Sequence, residues 1–157
     1  MINNKYKVTL ITLKGDCLVI QSREEFYKVY AALFERLKND PSIGPEVVAS
    51  DMVVAFTVPD LGARLTSDMT RKTWQGTVPK AGDGVIICGD TDVAPDVEIT
   101  LNAEMMHQLW MGTINLIAAL QQRQLTIKGP IPQITKLLPM LAPAYQIYPE
   151  LLKEMGY

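Results

Sequence analysis

The sequence has few of the residues from which metal sites and nucleophilic active sites are usually built. Its 157 residues include one histidine, His107, and two cysteines, Cys17 and Cys88. The two cysteines lie in separate apolar runs and lack the close spacing of metal ligands, so no zinc site is predicted. Free cysteine is commonly buried in reducing compartments, and the sequence therefore predicts two buried thiols rather than a disulfide.

Motifs that bind nucleotides, phosphate or calcium are also missing. The turn at 81–84 has two glycines, but it lacks both the spacing and the following helix of a dinucleotide loop. Asp90, Asp92 and Asp96 lack the glycine and the distal glutamate of a calcium loop. No G-x-S-x-G elbow is present, and a net charge of −2 with a pI near 5.4 argues against nucleic-acid binding. We expect no metal and no cofactor.

Long apolar runs are absent as well. No stretch approaches the length of about 20 apolar residues that a membrane-spanning helix needs. The opening residues MINNKYK lack the apolar core of a signal peptide, and the final residues MGY are not a peroxisomal signal. These features predict a cytoplasmic protein without integral membrane association.

What the sequence does contain is a globular pattern of ordinary composition. Hydrophobic residues make up 48% and charged residues 20% of the chain, and its length favours one domain over 1–157. Residues 6–13 and 17–20 alternate like two strands. Ser22 and Glu25 form a capping box, which predicts a helix that continues to about Lys38. A short helical turn is expected at 45–49.

Four strands are then predicted at 52–58, 63–67, 72–78 and 85–88, because these runs are apolar or alternate with period two. Arg64 and Arg71 lie within or beside them. They are interpreted as charges on a solvated face, with an anion-binding pair as the alternative.

The most ordered pattern covers residues 97–129. Val97, Ile99 and Leu101 alternate with polar residues and predict a strand. Asn102 is suited to cap a helix that Gly112 ends, and Asn115 is suited to cap a second, shorter helix. A strand at 125–128 closes at a glycine. The run therefore predicts a strand, two helices and a strand in that order.

This run resembles the second half of the sterol carrier protein type-two (sterol-binding domain) family. The matching residues are ITL at 99–101, MGTIN at 111–115 and LTIKG at 125–129. Leu116 stands where the family often has proline and Arg123 where it often has glycine, and both changes concern helix ends. The resemblance is best over 45–142. It leaves 1–21 as an extra N-terminal segment and 143–157 as a lid-like C-terminal helix.

The resemblance implies an α+β fold and a lipid-binding tunnel. The implied sheet is single, five-stranded or slightly larger, mixed but mainly antiparallel, with helices over one face that enclose the tunnel. After Gly129, five prolines predict short helices broken at each of them. The implied ligand-binding residues are Met105, Leu109, Trp110, Ile114, Ile117, Leu120, Leu137, Leu138, Leu141 and Tyr145.

Three functional hypotheses follow, in order of preference. The first is non-catalytic carriage of a hydrophobic small molecule, such as a fatty acid, fatty acyl-CoA or sterol. The second is an accessory subunit that presents such a molecule to a partner enzyme of lipid or steroid metabolism. The third is an isomerase-type enzyme that uses His107 or Asp68 as a base; the helix pattern predicts an exposed or edge position for that histidine.

Overall fold

A computed structural model describes residues 20–157. The two strands predicted at 6–13 and 17–20 lie outside these residues, apart from Ile20, which is fully buried. Cys17 lies outside them as well.

Among the described residues, five strands form one mixed sheet, as the family resemblance implies. The strands are β1 (Val53–Val58), β2 (Ala63–Asp68), β3 (Val85–Cys88), β4 (Val97–Leu101) and β5 (Leu125–Lys128). Their order across the sheet is β3-β2-β1-β4-β5, and only the central β1–β4 pair is parallel. Strand β4, which includes the family-matching residues 99–101, therefore lies beside β1 at the centre of the sheet.

Register places one apolar row on the helix-covered face of the sheet. Phe56 lies opposite Leu65 on β2 and Ile99 on β4, and Ile99 in turn lies opposite Ile127 on β5. Side chains alternate between the two faces of a strand, so all four point to the same side. Glu98 and Arg64 point to the other side, where Arg64 Nη1 lies 2.6 Å from Glu98 Oε2.

Between residues 20 and 157, five helices accompany the sheet: α1 (Arg23–Asn39), α2 (Gly44–Ala49), α3 (Ala103–Met111), α4 (Leu116–Gln121) and α5 (Ile131–Glu154). The predicted N-caps are confirmed, although Glu25 Oε2 accepts the N–H of Gln21 rather than that of Ser22. Ser22 Oγ accepts the Glu25 N–H at 3.1 Å, and Asn102 Oδ1 accepts the Met105 N–H at 2.7 Å. Asn115 caps α4 in the same way at 3.0 Å. These bonds satisfy backbone donors that a helix start leaves free.

The prediction of short helices broken at the prolines is wrong, because α5 is one helix of 24 residues with Pro139, Pro143 and Pro149 inside it. An interior proline costs a helix about 3 kcal/mol. Packing compensates in the second half of α5, where Ala144, Tyr148, Leu151 and Leu152 are buried. The predicted C-terminal helix at 143–157 corresponds to this packed half, whereas the first half has no fully buried residue.

Two further predictions are wrong. Residues 72–78 form no strand, since Arg71–Thr73 is a 3-10 turn and irregular backbone follows. Cys88 is exposed rather than buried, because it ends the edge strand β3. Burial of part of its surface still raises the pKa of the Cys88 thiol.

Within the described part of the chain, no helix is long and apolar enough to cross a membrane.

Gly112 provides a test of how closely α3 and α5 approach. Its φ is 73°, and a Cβ atom built on it would lie 2.9 Å from Tyr145 Cγ of α5. Gly62 is a matched control, because its φ is 60° but nothing lies within 4 Å of its Cβ position. Alanine strains either position by about 1–2 kcal/mol. Only Gly112→Ala must also displace the Tyr145 ring.

We therefore expect Gly112→Ala to lower the free energy of unfolding more than Gly62→Ala does. Urea denaturation followed by circular dichroism measures both losses. Equal losses would contradict the close contact between Gly112 and Tyr145.

Candidate functional site

An apolar cavity of about 90 Å³ lies between the sheet and the helices. One water needs about 10–15 Å³ by this kind of measure, so the cavity has room for more than a packing defect. Its wall divides into two parts, which differ in their exposure to solvent.

The inner wall consists of buried residues from α1, the sheet and α3. Its members, all less than a tenth exposed, are Phe34, Leu37, Met52, Val54, Phe56, Ser67, Met69, Ile99, Leu109 and Trp110.

Three aromatic rings fix the shape of the inner wall. Phe34 comes from the buried stripe of α1, Phe56 from the covered face of β1, and Trp110 from the last turn of α3. The Phe34 ring centroid lies 5.2 Å from that of Trp110, edge to face, and 5.5 Å from that of Phe56. Such aromatic pairs contribute about 0.5–1.5 kcal/mol beyond their buried area. The rings therefore connect α1, β1 and α3 on one side of the cavity.

The outer wall consists of partly exposed residues from α2, α4, β5 and α5. Leu138 is its most exposed member at 48%. The outer-wall residues are Val47, Ser50, Leu116, Ile127, Ile134, Leu137, Leu138, Met140 and Leu141. The cavity is thus closed on the sheet side and thinly covered on the α4–α5 side.

The cavity lining has almost no polar chemistry. None of the lining residues within 20–157 is Asp, Glu, Lys, Arg or His, and the hydroxyl groups among them come from Ser50 and Ser67. The Trp110 indole N–H is buried without a hydrogen-bond partner. A buried charge without a partner is costly, so this lining suits hydrocarbon and uncharged polar groups. The described part of the lining holds no group that could act as a general acid or base.

The structure brings half of the predicted ligand-binding residues to the cavity and leaves the other half elsewhere. Leu109, Trp110, Leu137, Leu138 and Leu141 line it.

The other five predicted residues are not part of the lining. Met105 is buried in the core, and Ile114 is half-buried against it. Ile117 and Leu120 face solvent, at 69% and 38% exposed. Tyr145 lies against Gly112. Leu116 and Ile117 are neighbours in the short helix α4. The spacing of its apolar residues does not indicate which of the two faces the cavity.

Sequence reasoning missed the residues that α1 and the sheet contribute to the lining. The sequence places Phe34 and Leu37 within the helix predicted to continue to about Lys38, and Phe56 and Ile99 within predicted strands. The register of β1 against β4 brings Phe56 and Ile99 to the same cavity. The hydrophobic periodicity of the sequence does not contain this register.

His107 is buried rather than exposed, which corrects its predicted position. It is 3% exposed, and its Nδ1 atom lies 2.9 Å from the hydroxyl oxygen of Tyr148 on α5. That same oxygen lies 2.9 Å from the hydroxyl oxygen of Tyr30 on α1. We call Tyr30, His107 and Tyr148 the tyrosine cluster. It joins α1, α3 and α5 outside the cavity lining.

Asp68, the alternative base, is also buried and also outside the lining. Its Oδ1 atom accepts the Thr70 backbone N–H at 3.0 Å, so it stabilises the turn after β2.

Both arginines considered as an anion site, and Asp96 among the three aspartates considered as a cation site, bind other groups of the protein. Arg64 binds Glu98, and Arg71 Nε lies 3.3 Å from Asp51 Oδ2. Asp96 accepts the Val53 backbone N–H at 2.8 Å. Among residues 20–157, no group of three or more potential metal ligands is placed to hold an ion.

Comparison with protein families identifies one match. The model of the SCP-2 sterol transfer family matches residues 31–142. No curated protein matches the chain.

Solved structures share the fold at low identity. Apo sterol carrier protein 2 from Yarrowia lipolytica is 17% identical, with a TM-score of 0.57 over 82% of this chain and 97% of that one. UbiJ-SCP2, a ubiquinone synthesis protein, is 12% identical, with a TM-score of 0.55 over 76% and 95%. Sterol carrier protein 2 from Aedes aegypti, solved with palmitate, is 18% identical, with a TM-score of 0.50 over 73% and 92%.

The chain spans 13% of the sec-alkylsulfatase Pisa1 from Pseudomonas sp., which it also matches at 15% identity and a TM-score of 0.45 over 62% of this chain.

The tyrosine cluster predicts a stability change at alkaline pH. Burial is the main reason that the pKa of Tyr30 and that of Tyr148 lie above the ordinary value. Each phenol then keeps its proton in the folded protein when the unfolded chain has released it. The stabilisation is complete below about pH 10 and is lost above it, by up to about 1.4 kcal/mol per pH unit for each phenol.

We expect Tyr30→Phe to make this alkaline decline shallower, because one of the two phenols is removed. The measurement is the free energy of unfolding in urea between neutral pH and pH values above the unfolded tyrosine pKa. Tyr145→Phe, at an exposed tyrosine, controls for loss of a hydroxyl group. The same slope in Tyr30→Phe and in the unmodified protein would contradict the prediction.

Proposed function

The chain belongs to the SCP-2 sterol transfer family, and we propose that it binds and carries a hydrophobic small molecule in the cavity between its sheet and its helices. The ligand class is a fatty acid, a fatty acyl-CoA, a sterol or a similar lipid. The observation that carries the proposal is the uncharged lining around the aromatic inner wall.

The energetics of such a cavity fit a carrier. Burying one methylene contributes about 0.8 kcal/mol, so twelve contribute about 10 kcal/mol. Association costs about 4–15 kcal/mol in lost freedom. The net binding free energy is therefore about 6 kcal/mol at the lower cost and vanishes at the higher cost. The affinity is moderate at most, which allows the protein to release its ligand as well as to collect it.

The lining also constrains how the ligand is oriented. Because no lining residue is charged, a carboxylate or phosphate would remain at the outer wall, in contact with water. An uncharged oxygen is compatible with the interior, where the Trp110 N–H lacks a partner and two serine hydroxyls are present. The palmitate complex of the Aedes aegypti protein supports a fatty chain as one occupant of this fold.

We propose no catalytic role for the chain. His107 and Asp68, the two candidate bases, lie outside the cavity lining and bind other groups of the protein. A general base must come within hydrogen-bonding reach of its substrate, and a ligand in this cavity would meet neither side chain.

The proposal is tested with a charge placed in the outer wall. Leu137 is half-buried and lines the cavity, so the lysine of a Leu137→Lys variant can reach solvent while its stem crosses the lining. We expect this variant to weaken the binding of a fluorescent fatty alcohol by about tenfold or more, because a ligand that fills the cavity would bury the ammonium group that otherwise reaches solvent, at a cost of several kcal/mol.

Val78→Lys is the matched control, because Val78 is 64% exposed and does not line the cavity. Fluorescence titration measures both affinities, and circular dichroism establishes that both variants fold. Equal affinity in folded Leu137→Lys and Val78→Lys would contradict the assignment of the cavity as the binding site.

A second candidate function is presentation of the hydrophobic molecule to a partner enzyme. The likeness of this fold to UbiJ, a ubiquinone synthesis protein, favours it. Affinity purification of the chain from its host should then recover an enzyme of lipid or steroid metabolism, and deletion of residues 1–21 should weaken that contact. Recovery of no such enzyme would reject this candidate.

A further inference from the structure

Few hydrogen-bonding side chains border the cavity, and two of them lie in its inner wall. Within the described lining these side chains are Ser50, Ser67 and Trp110. Ser67 is 8% exposed and Trp110 is 3% exposed, whereas Ser50 lies in the partly exposed outer wall. The polar chemistry of the enclosed part of the cavity therefore comes from one hydroxyl group and one indole N–H.

Neither of these two groups is hydrogen-bonded within the described part of the protein. The Trp110 indole N–H is buried and has no acceptor. The Ser67 hydroxyl forms no hydrogen bond with another residue of 20–157. A buried indole N–H usually has an acceptor, and a buried donor without one lowers stability. A molecule that occupies the cavity can therefore bind both groups without displacing a partner from either.

The register of the sheet places the two groups at neighbouring positions of the inner wall. Ser67 lies opposite Val54 on β1, and Phe56 follows two residues later on the same face. Two residues of a strand span about 7 Å. The Trp110 ring centroid lies 5.8 Å from that of Phe56. A ligand that lies along this part of β1 would therefore pass both the hydroxyl and the indole.

Two other buried polar atoms lack a partner among the described residues, but they do not border the cavity. Thr66 Oγ1 lies on the opposite face of the sheet, because Thr66 precedes Ser67 in β2. Gln133 Oε1 lies in the first turn of α5, and Gln133 is not a lining residue. Among the buried residues described, an unpaired polar group in the cavity wall is therefore found only at Ser67 and Trp110.

The chemistry of these two groups selects one kind of ligand atom. An indole N–H only donates and a hydroxyl donates or accepts, so one acceptor oxygen with two lone pairs can pair with both. A carboxylate does not suit this position, because the described lining has no cation to balance its charge. A saturated chain would leave both groups unpaired. An uncharged oxygen satisfies them without burying a charge.

We propose that Ser67 and Trp110 determine ligand specificity by donating hydrogen bonds to an uncharged carbonyl or hydroxyl oxygen within the hydrocarbon chain of the ligand. This inference rests on the proposed function and narrows its ligand class to lipids that are oxygenated away from their headgroup. A charged headgroup of the same molecule still remains at the outer wall, in contact with water.

The test compares stearate with a series of stearates that each carry one ketone at a different position of the chain. Displacement of the fluorescent fatty alcohol measures their affinities. We expect one ketone position to bind about tenfold more tightly than stearate, because its carbonyl pairs with both donors. The other positions should bind more weakly than stearate, because their carbonyl is buried without a partner.

Substitutions then assign this preference to the two side chains. Ser67→Ala removes the hydroxyl with little change in volume, and Trp110→Phe removes the N–H but keeps an aromatic ring beside Phe56. Each should reduce the ratio of ketone affinity to stearate affinity by about threefold or more. The ratio within one variant is compared, so a general loss of affinity from repacking cancels. Ser50→Ala removes a hydroxyl from the outer wall and is the matched control, which should keep the full ratio.

Nuclear magnetic resonance of the indole protons provides a second measurement that does not depend on affinity. The chain has two tryptophans, and the Trp74 N–H already donates to the Met69 carbonyl at 3.0 Å. The favoured ketone should move the Trp110 indole proton downfield, whereas stearate should not. The Trp74 signal is the internal control and should keep its position with both ligands.

Equal affinity for stearate and for every ketone would overturn the inference. An unchanged ratio in folded Ser67→Ala, or a Trp110 indole proton that the favoured ketone does not shift, would also overturn it. An equal reduction of the ratio in Ser50→Ala would contradict the assignment to the inner wall. Failure of the unmodified protein to bind the fatty alcohol or stearate would instead reject the proposed function, on which the inference rests.

Discussion

The contact among Phe34, Phe56 and Trp110 is the constraint on which the rest of the structure depends. It joins helix α1, the central strand β1 and helix α3, and the ring centroids lie 5.2 to 5.8 Å apart. The three rings also line the cavity, which lies beside them. The same three residues thus stabilise the core and form one wall of the ligand site.

Helix α5 packs against the core with its second half and lies closer to the surface with its first half. Its second half is held by buried packing and by the hydroxyl of Tyr148, which contacts α1 through Tyr30 and α3 through His107. Its first half forms the outer wall, has no fully buried residue, and lacks the backbone donor of Pro139. The outer wall is therefore less buried than the inner wall, and local opening of the enclosure is expected on that side.

Much of the fold could be predicted from local chemistry. The capping residues Ser22, Asn102 and Asn115, the left-handed Gly112 and the alternation in β4 depend on near neighbours in the sequence, and each was placed correctly. The errors concern tertiary context. Burial of Tyr148 and Leu152 outweighs the cost of three prolines in α5, and His107 is buried by a partner 41 residues away. The inner wall depends on strand register, which no local pattern contains.

The most direct test of this account is photo-crosslinking with a fatty alcohol that carries a diazirine near the end of its chain, followed by peptide mass spectrometry. Binding in the cavity predicts that the label attaches to the inner wall, at Phe34–Leu37 of α1 and Leu109–Trp110 of α3, and to the 134–141 segment of α5. Label confined to the opposite face of the sheet, around Arg64 and Glu98, would contradict the assignment of the cavity as the lipid site.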